Sequence, residues 1–143
     1  MTKEFRAGAI DLGVSSIRAD SPFLLDFIRF HTSDIGTFQP DFAMPAGNDV
    51  LALLLTRDGL PAGVLIGHHI GDTLTDDLDY VLAAYRNSRL GDWLYGRGST
   101  VFRQHGITQL RADATTGSHD RYLHRMGFKP TSAGDPGDFV LVL

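Results

Sequence analysis

LDYVLAAYRNSRLGDWL (residues 78–94), VFRQHGITQLRAD (101–113) and HDRYLHRMGF (119–128) decide the fold of this 143-residue chain. In order they predict a strand, a basic turn, a helix, a second strand, and a second helix that stops at Gly127 and Phe128. A strand that feeds a helix through a tight turn aims backbone N–H groups at whatever lies above the turn, which makes an anion site. Here that turn also carries Arg86 and Arg89.

Upstream, Ser21 and Pro22 are a cap and first-turn pair for a helix whose Phe23, Leu24, Phe27, Ile28 and Phe30 form one apolar stripe, with Gly36 as its end. Residues 37–48 contain Pro40, Pro45 and Gly47 and read as a loop. Val50–Thr56 and Ala62–His69 flank an Asp58-Gly59 turn and predict a β-hairpin. Residues 70–77 read as an acidic loop, and Leu78–Ala84 as the next strand. A helix is expected from Gly91 to about Gln104, packing on Leu90, Leu94, Val101 and Phe102. Gly96 and Gly98 weaken that helix by roughly 1 kcal/mol each, so it bends there or something packs closely against it. Ile107–Ala112 is a further strand. Ser118 or Thr116 caps a helix running through His124, Gly127 ends it, and Asp138–Leu143 closes the sheet. The hairpin is antiparallel and the strand–helix–strand unit parallel. The expected class is therefore α/β, in the sense of an α+β mixed sheet, within one domain over residues 1–143.

Composition narrows the function. The net charge of −4 argues against non-specific nucleic-acid binding. Its distribution is uneven: residues 1–85 hold five Lys/Arg and twelve Asp/Glu, whereas residues 86–129 hold eight and three. The basic half starts at the proposed anion turn, which favours a phosphate-bearing ligand. No apolar run approaches the ~20 residues that span a bilayer, so no membrane segment is expected. The first residues lack the apolar core of a signal peptide, and a chain without cysteine fits the cytoplasm. The six histidines show no metal-ligand spacing, and neither a Walker loop nor a Gly-x-Ser-x-Gly elbow is present.

Over residues 20–143 the pattern resembles the GNAT superfamily of N-acetyltransferases. Their cofactor motif is Gln/Arg, two residues, Gly, one residue, then Gly or Ala. Arg86-Asn87-Ser88-Arg89-Leu90-Gly91 falls in that slot, with Arg89 where the first glycine usually sits. Tyr122-Leu123-His124-Arg125-Met126-Gly127-Phe128 resembles the family's late helix. The resemblance implies a central, mixed, mostly antiparallel sheet flanked by helices, and acetyl-CoA or another acyl-CoA as cofactor. The strand end at Leu82, Ala83 and Ala84 would pair with pantetheine, and a β-bulge there would turn an N–H toward the thioester carbonyl. Arg86, Asn87, Ser88, Arg89, Leu90, Gly91 and Asp92 would hold the pyrophosphate through amides and positive charge.

Turnover needs a proton acceptor and a proton donor. His68, His69, Asp77 and Asp79 are the candidate bases, and His68 and His69 should face opposite sides of the sheet. The family's thiolate protonator is a Tyr four residues before the glycine of Gly-Phe. That position is Leu123; Tyr122 lies one residue earlier, about 100° around an ideal helix, and would serve only after a change of register. The leading expectation is an N-acyltransferase that moves an acetyl group to a small-molecule or protein amine. The alternatives are an inactive CoA-binding or sensor module, and an interaction module whose late strands build a homodimer.

Overall fold

The computed structural model describes residues 11–131 and 137–143, with the backbone alone at residues 87 and 88. The hairpin shows how locally the sequence acts. Strand β2 (Val50–Arg57) turns into β3 (Leu60–Ile70) through Asp58 and Gly59 alone, at φ 52° and 81°. Two consecutive left-handed residues match the strand twist, and Asp-Gly suits that geometry. β4 (Thr73–Val81) follows after two residues. The stretch 70–77, expected as an acidic loop, is thus mostly strand, and the strand expected to reach Ala84 ends at Val81.

β1 (Leu12–Ile17) adds to β2. Residues 1–10 of the undecided N-terminal stretch lie outside the described residues. The described strands form one seven-stranded sheet in the order β1-β2-β3-β4-β5-β7-β6, with β5 (Gln109–Asp113), β6 (Lys129–Pro130) and β7 (Asp138–Val142). Only β4 and β5 pair in parallel. This is the mixed, mostly antiparallel sheet that was expected. β6 covers β7 at Phe139 and Val140, on the apolar edge that an assembly reading would use.

Helices cover both faces, which is why Val50–Thr56 is apolar without alternation. On one face lie α1 (Pro22–Phe30) and α2 (Thr32–Phe38), where Leu24, Phe27 and Ile35 bury against Ala52, Val64, Ile66, Leu78 and Tyr80. Phe23 and Phe30 are exposed at 45% and 85%, so the apolar stripe is narrower than predicted. The helix breaks at His31, where the Thr32 hydroxyl donates to the Ile28 and Arg29 carbonyls; Gly36 lies inside the second piece instead of ending the first.

On the other face lie α3 (Leu90–Tyr95), α4 (Thr100–Gln104) and α5 (Gly117–Arg125). The helix expected over 91–104 is two, broken at Gly96 and joined by a 3₁₀ turn. Gly98 is needed there because a β-carbon would sit 2.8 Å from the Trp93 ring. Leu90, Leu94, Val101 and Phe102 are buried as expected, each contributing roughly 1.5–3 kcal/mol. Thr116 caps α5 by accepting from the His119 N–H at 3.2 Å.

Candidate functional site

β4 carries the site because of one extra residue. Opposite β3 its register jumps from Leu78 (facing Ile66) to Asp76 (facing Gly67), leaving Asp77 without a partner. The bulge therefore lies at Asp77, not at Leu82–Ala84, where the backbone has already coiled into a 3₁₀ turn over Ala83–Ser88. Side chains three apart in a regular strand point to opposite faces. The bulge restores Asp76 and Asp79 to the same face, toward α3 and α5.

Both residues are half-buried there, with their carboxyls turned inward. The Tyr95 hydroxyl donates a short hydrogen bond to Asp79 and lies 3.3 Å from Asp76; its single hydrogen serves one at a time. Burial, then the charge of Asp79, holds Asp76 well above the usual carboxylate range. Burial also raises Asp79, but hydrogen bonding from Tyr95 offsets part of it. Asp76 Oδ1 has no hydrogen-bond partner among the described residues.

The bulge also marks where the sheet opens. β5 pairs with β4 only from Thr73 to Asp76, whereas β4 runs on to Val81. Beyond Asp76 the edge facing β5 has no strand beside it among the described residues, and side chains complete it instead. The Gln39 side-chain amide donates to the Asp79 carbonyl at 2.7 Å and accepts from the Asp79 N–H at 3.1 Å. Arg86 Nε donates to the Val81 carbonyl at 3.1 Å.

Above this edge lies a cavity of about 900 Å³, walled by β4, the end of α2, the turn at 86–92 and α5. Arg86, Arg89, Arg121 and Arg125 line it. Tyr122 projects into it from α5, while Leu123 is fully buried in the core. The helix is thus rotated so that the earlier residue meets the cleft. The Tyr122 hydroxyl is buried and has no well-formed hydrogen bond among the described residues, with Asp79 near enough to act on its proton. Burial first, then the Asp79 charge, pushes its pKa well above the tyrosine range. Gly91 makes room for it, since a β-carbon there would lie 2.5 Å from the Tyr122 oxygen.

The sequence-predicted residues divide around this cavity. Asp79, Tyr122, Arg86, Arg89, Leu90, Gly91 and Asp92 line it. Leu82, Ala83 and Ala84 do not, because the chain has left the strand by then. His68 and His69 lie outside it, and His68 Nδ1 pairs with the bulged Asp77 at 2.8 Å. The side chains of Asn87 and Ser88 lie outside the described residues. Arg86 is engaged by Asp34 at 2.7 Å and lies over the Phe38 ring at 4.7 Å. Arg89 sits at φ 60°, the left-handed conformation that a motif glycine adopts freely. Gln39, Tyr95, Arg121 and Arg125 went unremarked as site residues, and Asp76 was read only as part of an acidic loop that could attract a cationic amine. Of the four unremarked, only the arginines carried a signal, as part of the basic half. Among the described residues no group of three His, Asp or Glu is placed to hold a metal ion, and no helix is long and apolar enough to cross a membrane.

No protein-family model matches the sequence, and no curated protein matches it. Solved structures do match the fold. A ribosomal-protein-S18-alanine N-acetyltransferase from Escherichia coli is 18% identical, covering 93% of each chain with a TM-score of 0.58. The aminoglycoside acetyltransferase AAC(6')-Ib, solved with coenzyme A, is 13% identical over 92% of this chain and 95% of its own, with a TM-score of 0.63. A tandem GNAT protein from the clavulanic acid biosynthesis pathway is 16% identical over 85% of this chain, with a TM-score of 0.63; this chain spans 45% of its length. The chain has the fold of the GNAT N-acetyltransferases.

Proposed function

We propose that the protein is an acyl-CoA-dependent N-acyltransferase that moves an acetyl group to an amine. The observation that carries this reading is the opened edge of β4, with backbone groups at Asp79 and Val81 facing a cavity that also receives a buried tyrosine hydroxyl with no well-formed hydrogen bond among the described residues. An extended chain bearing amides can pair with that edge as a strand would. Arg89, Arg121 and Arg125, with the backbone of residues 86–91, suit the phosphates of CoA. The cavity is large enough for the pantetheine arm and the reacting groups, and fits the ligand in charge.

Acyl-CoA supplies the acyl group as a thioester. Beside the amide pairing at Asp79, a further backbone N–H of the opened β4 edge polarises its carbonyl, the function first expected of Leu82–Ala84. The Asp79 carboxylate takes a proton from the attacking amine as the C–N bond forms. Tyr122, kept protonated by its burial, gives its proton to the sulfur as the C–S bond breaks. Asp79 then returns the proton to Tyr122, so the products are an amide and the free thiol, with both residues restored. His68 and His69 have no part in this route. Solved neighbours named for a ribosomal-protein alanine and for aminoglycosides support a protein or small-molecule amine as acceptor.

Calorimetric titration with acetyl-CoA, CoA and dephospho-CoA tests this reading. Micromolar binding that favours acetyl-CoA and weakens without the 3′-phosphate is expected. Absence of binding at millimolar ligand would contradict it.

A further inference from the structure

In the free protein the edge that an amide-bearing ligand would use is already taken. Gln39 places a primary amide flat against Asp79, its N–H on the Asp79 carbonyl and its carbonyl on the Asp79 N–H. That is the two-bond pattern of a neighbouring peptide group, supplied by a side chain forty residues away. Gln39 caps α2 just before Pro40, and the end of that helix is tied across the cleft. The Thr116 hydroxyl, at the start of α5, donates to the Phe38 carbonyl at 3.0 Å, and Arg86 lies over the Phe38 ring while holding the Val81 carbonyl. The α2 terminus therefore bridges the wedge between β4 and α5. Gln39 is only half-buried, so a change of rotamer releases it without disturbing the core.

We propose that Gln39 is a removable strap, a built-in stand-in for the ligand's amide that closes the β4 edge until an extended amide chain displaces it. The identity of that chain as the pantetheine arm rests on the acyl-CoA reading; the strap itself rests on the contacts. A ligand that must displace it binds with an affinity reduced by the fraction of molecules in which the edge is free.

The test compares wild type with Gln39→Ala in two readouts. In the ligand-free proteins, amide exchange at Asp79 should be at least tenfold faster in the variant, while Thr73–Asp76 stay equally protected and show that the sheet is intact. In titrations with CoA, the variant should bind roughly tenfold tighter, the size expected from removing two hydrogen bonds that binding must break. Unchanged exchange at Asp79 overturns the strap. So does faster exchange with equal or weaker CoA binding, because Gln39 would then be a fixed part of the site. If neither protein binds CoA, the acyl-CoA reading fails and exchange at Asp79 alone decides for or against the strap.

Discussion

From Thr73 to Asp76, β4 lies between β3 and β5 with strands on both edges; from Asp77 to Val81 it keeps β3 and loses β5. The first half buries Leu74 completely and serves the core. The second half presents backbone groups to a cavity and borrows Gln39 and Arg86 to satisfy them. The bulge at Asp77 separates the two halves and brings Asp76 and Asp79 to the same face. A single inserted residue thus divides one strand into a segment that serves the core and a segment whose backbone groups face a cavity, the edge we propose for the ligand.

The contrast is broken most forcefully through packing. Leu74→Ala should cost about 2–5 kcal/mol in chemical denaturation, whereas Val81→Ala, at the partly exposed end, should cost less than about 1 kcal/mol. Equal losses would mean that both halves serve the core alike. Tyr122→Phe should lower turnover at least tenfold while CoA affinity holds. Stability should stay level or rise, since the variant removes a buried hydroxyl with no well-formed hydrogen bond among the described residues. Unchanged turnover would remove Tyr122 from the chemistry.

The inward-turned acid pair sharpens the comparison through pH. Because Asp76 is raised well above the ordinary range, the folded state holds a proton that the unfolded chain gives up near pH 4. Stability from this group is fully present below that pH and is lost as pH rises toward the folded pKa. Asp76→Asn should flatten the decline that sets in above about pH 4, measured by urea unfolding at each pH. The same slope in both proteins would show that Asp76 is charged in the fold. The smallest effect on stability is expected at Arg89→Gly, which relieves the left-handed strain at φ 60° and gives up an exposed contact with Asp92. A gain of about 0.5 kcal/mol is expected, and a clear loss would mean that the arginine side chain matters to the fold.

The order of strands and helices was legible because the hairpin turn, the Gly-Phe stop and the apolar runs are local signals. The segment 70–77 was misread because aspartates are poor strand residues, and nothing local reveals that the carboxyls of Asp76 and Asp79 will turn inward beside Tyr95. The single helix expected over 91–104 failed at Gly96, where two glycines two residues apart were a warning of the break. Tyr122 was identified but lay one residue out of phase, and only packing sets the rotation that buries Leu123 and turns Tyr122 to the cavity. Gln39 was illegible, as a lone glutamine beside a proline-containing loop whose partner lies forty residues on.

The most direct measurement is an amide-resolved NMR titration with acetyl-CoA. The largest changes are expected at Asp79, Val81 and Gly91, with Thr73–Asp76 scarcely moving. Changes spread evenly along β4, or none at millimolar ligand, would contradict the claim that its opened half is the ligand edge.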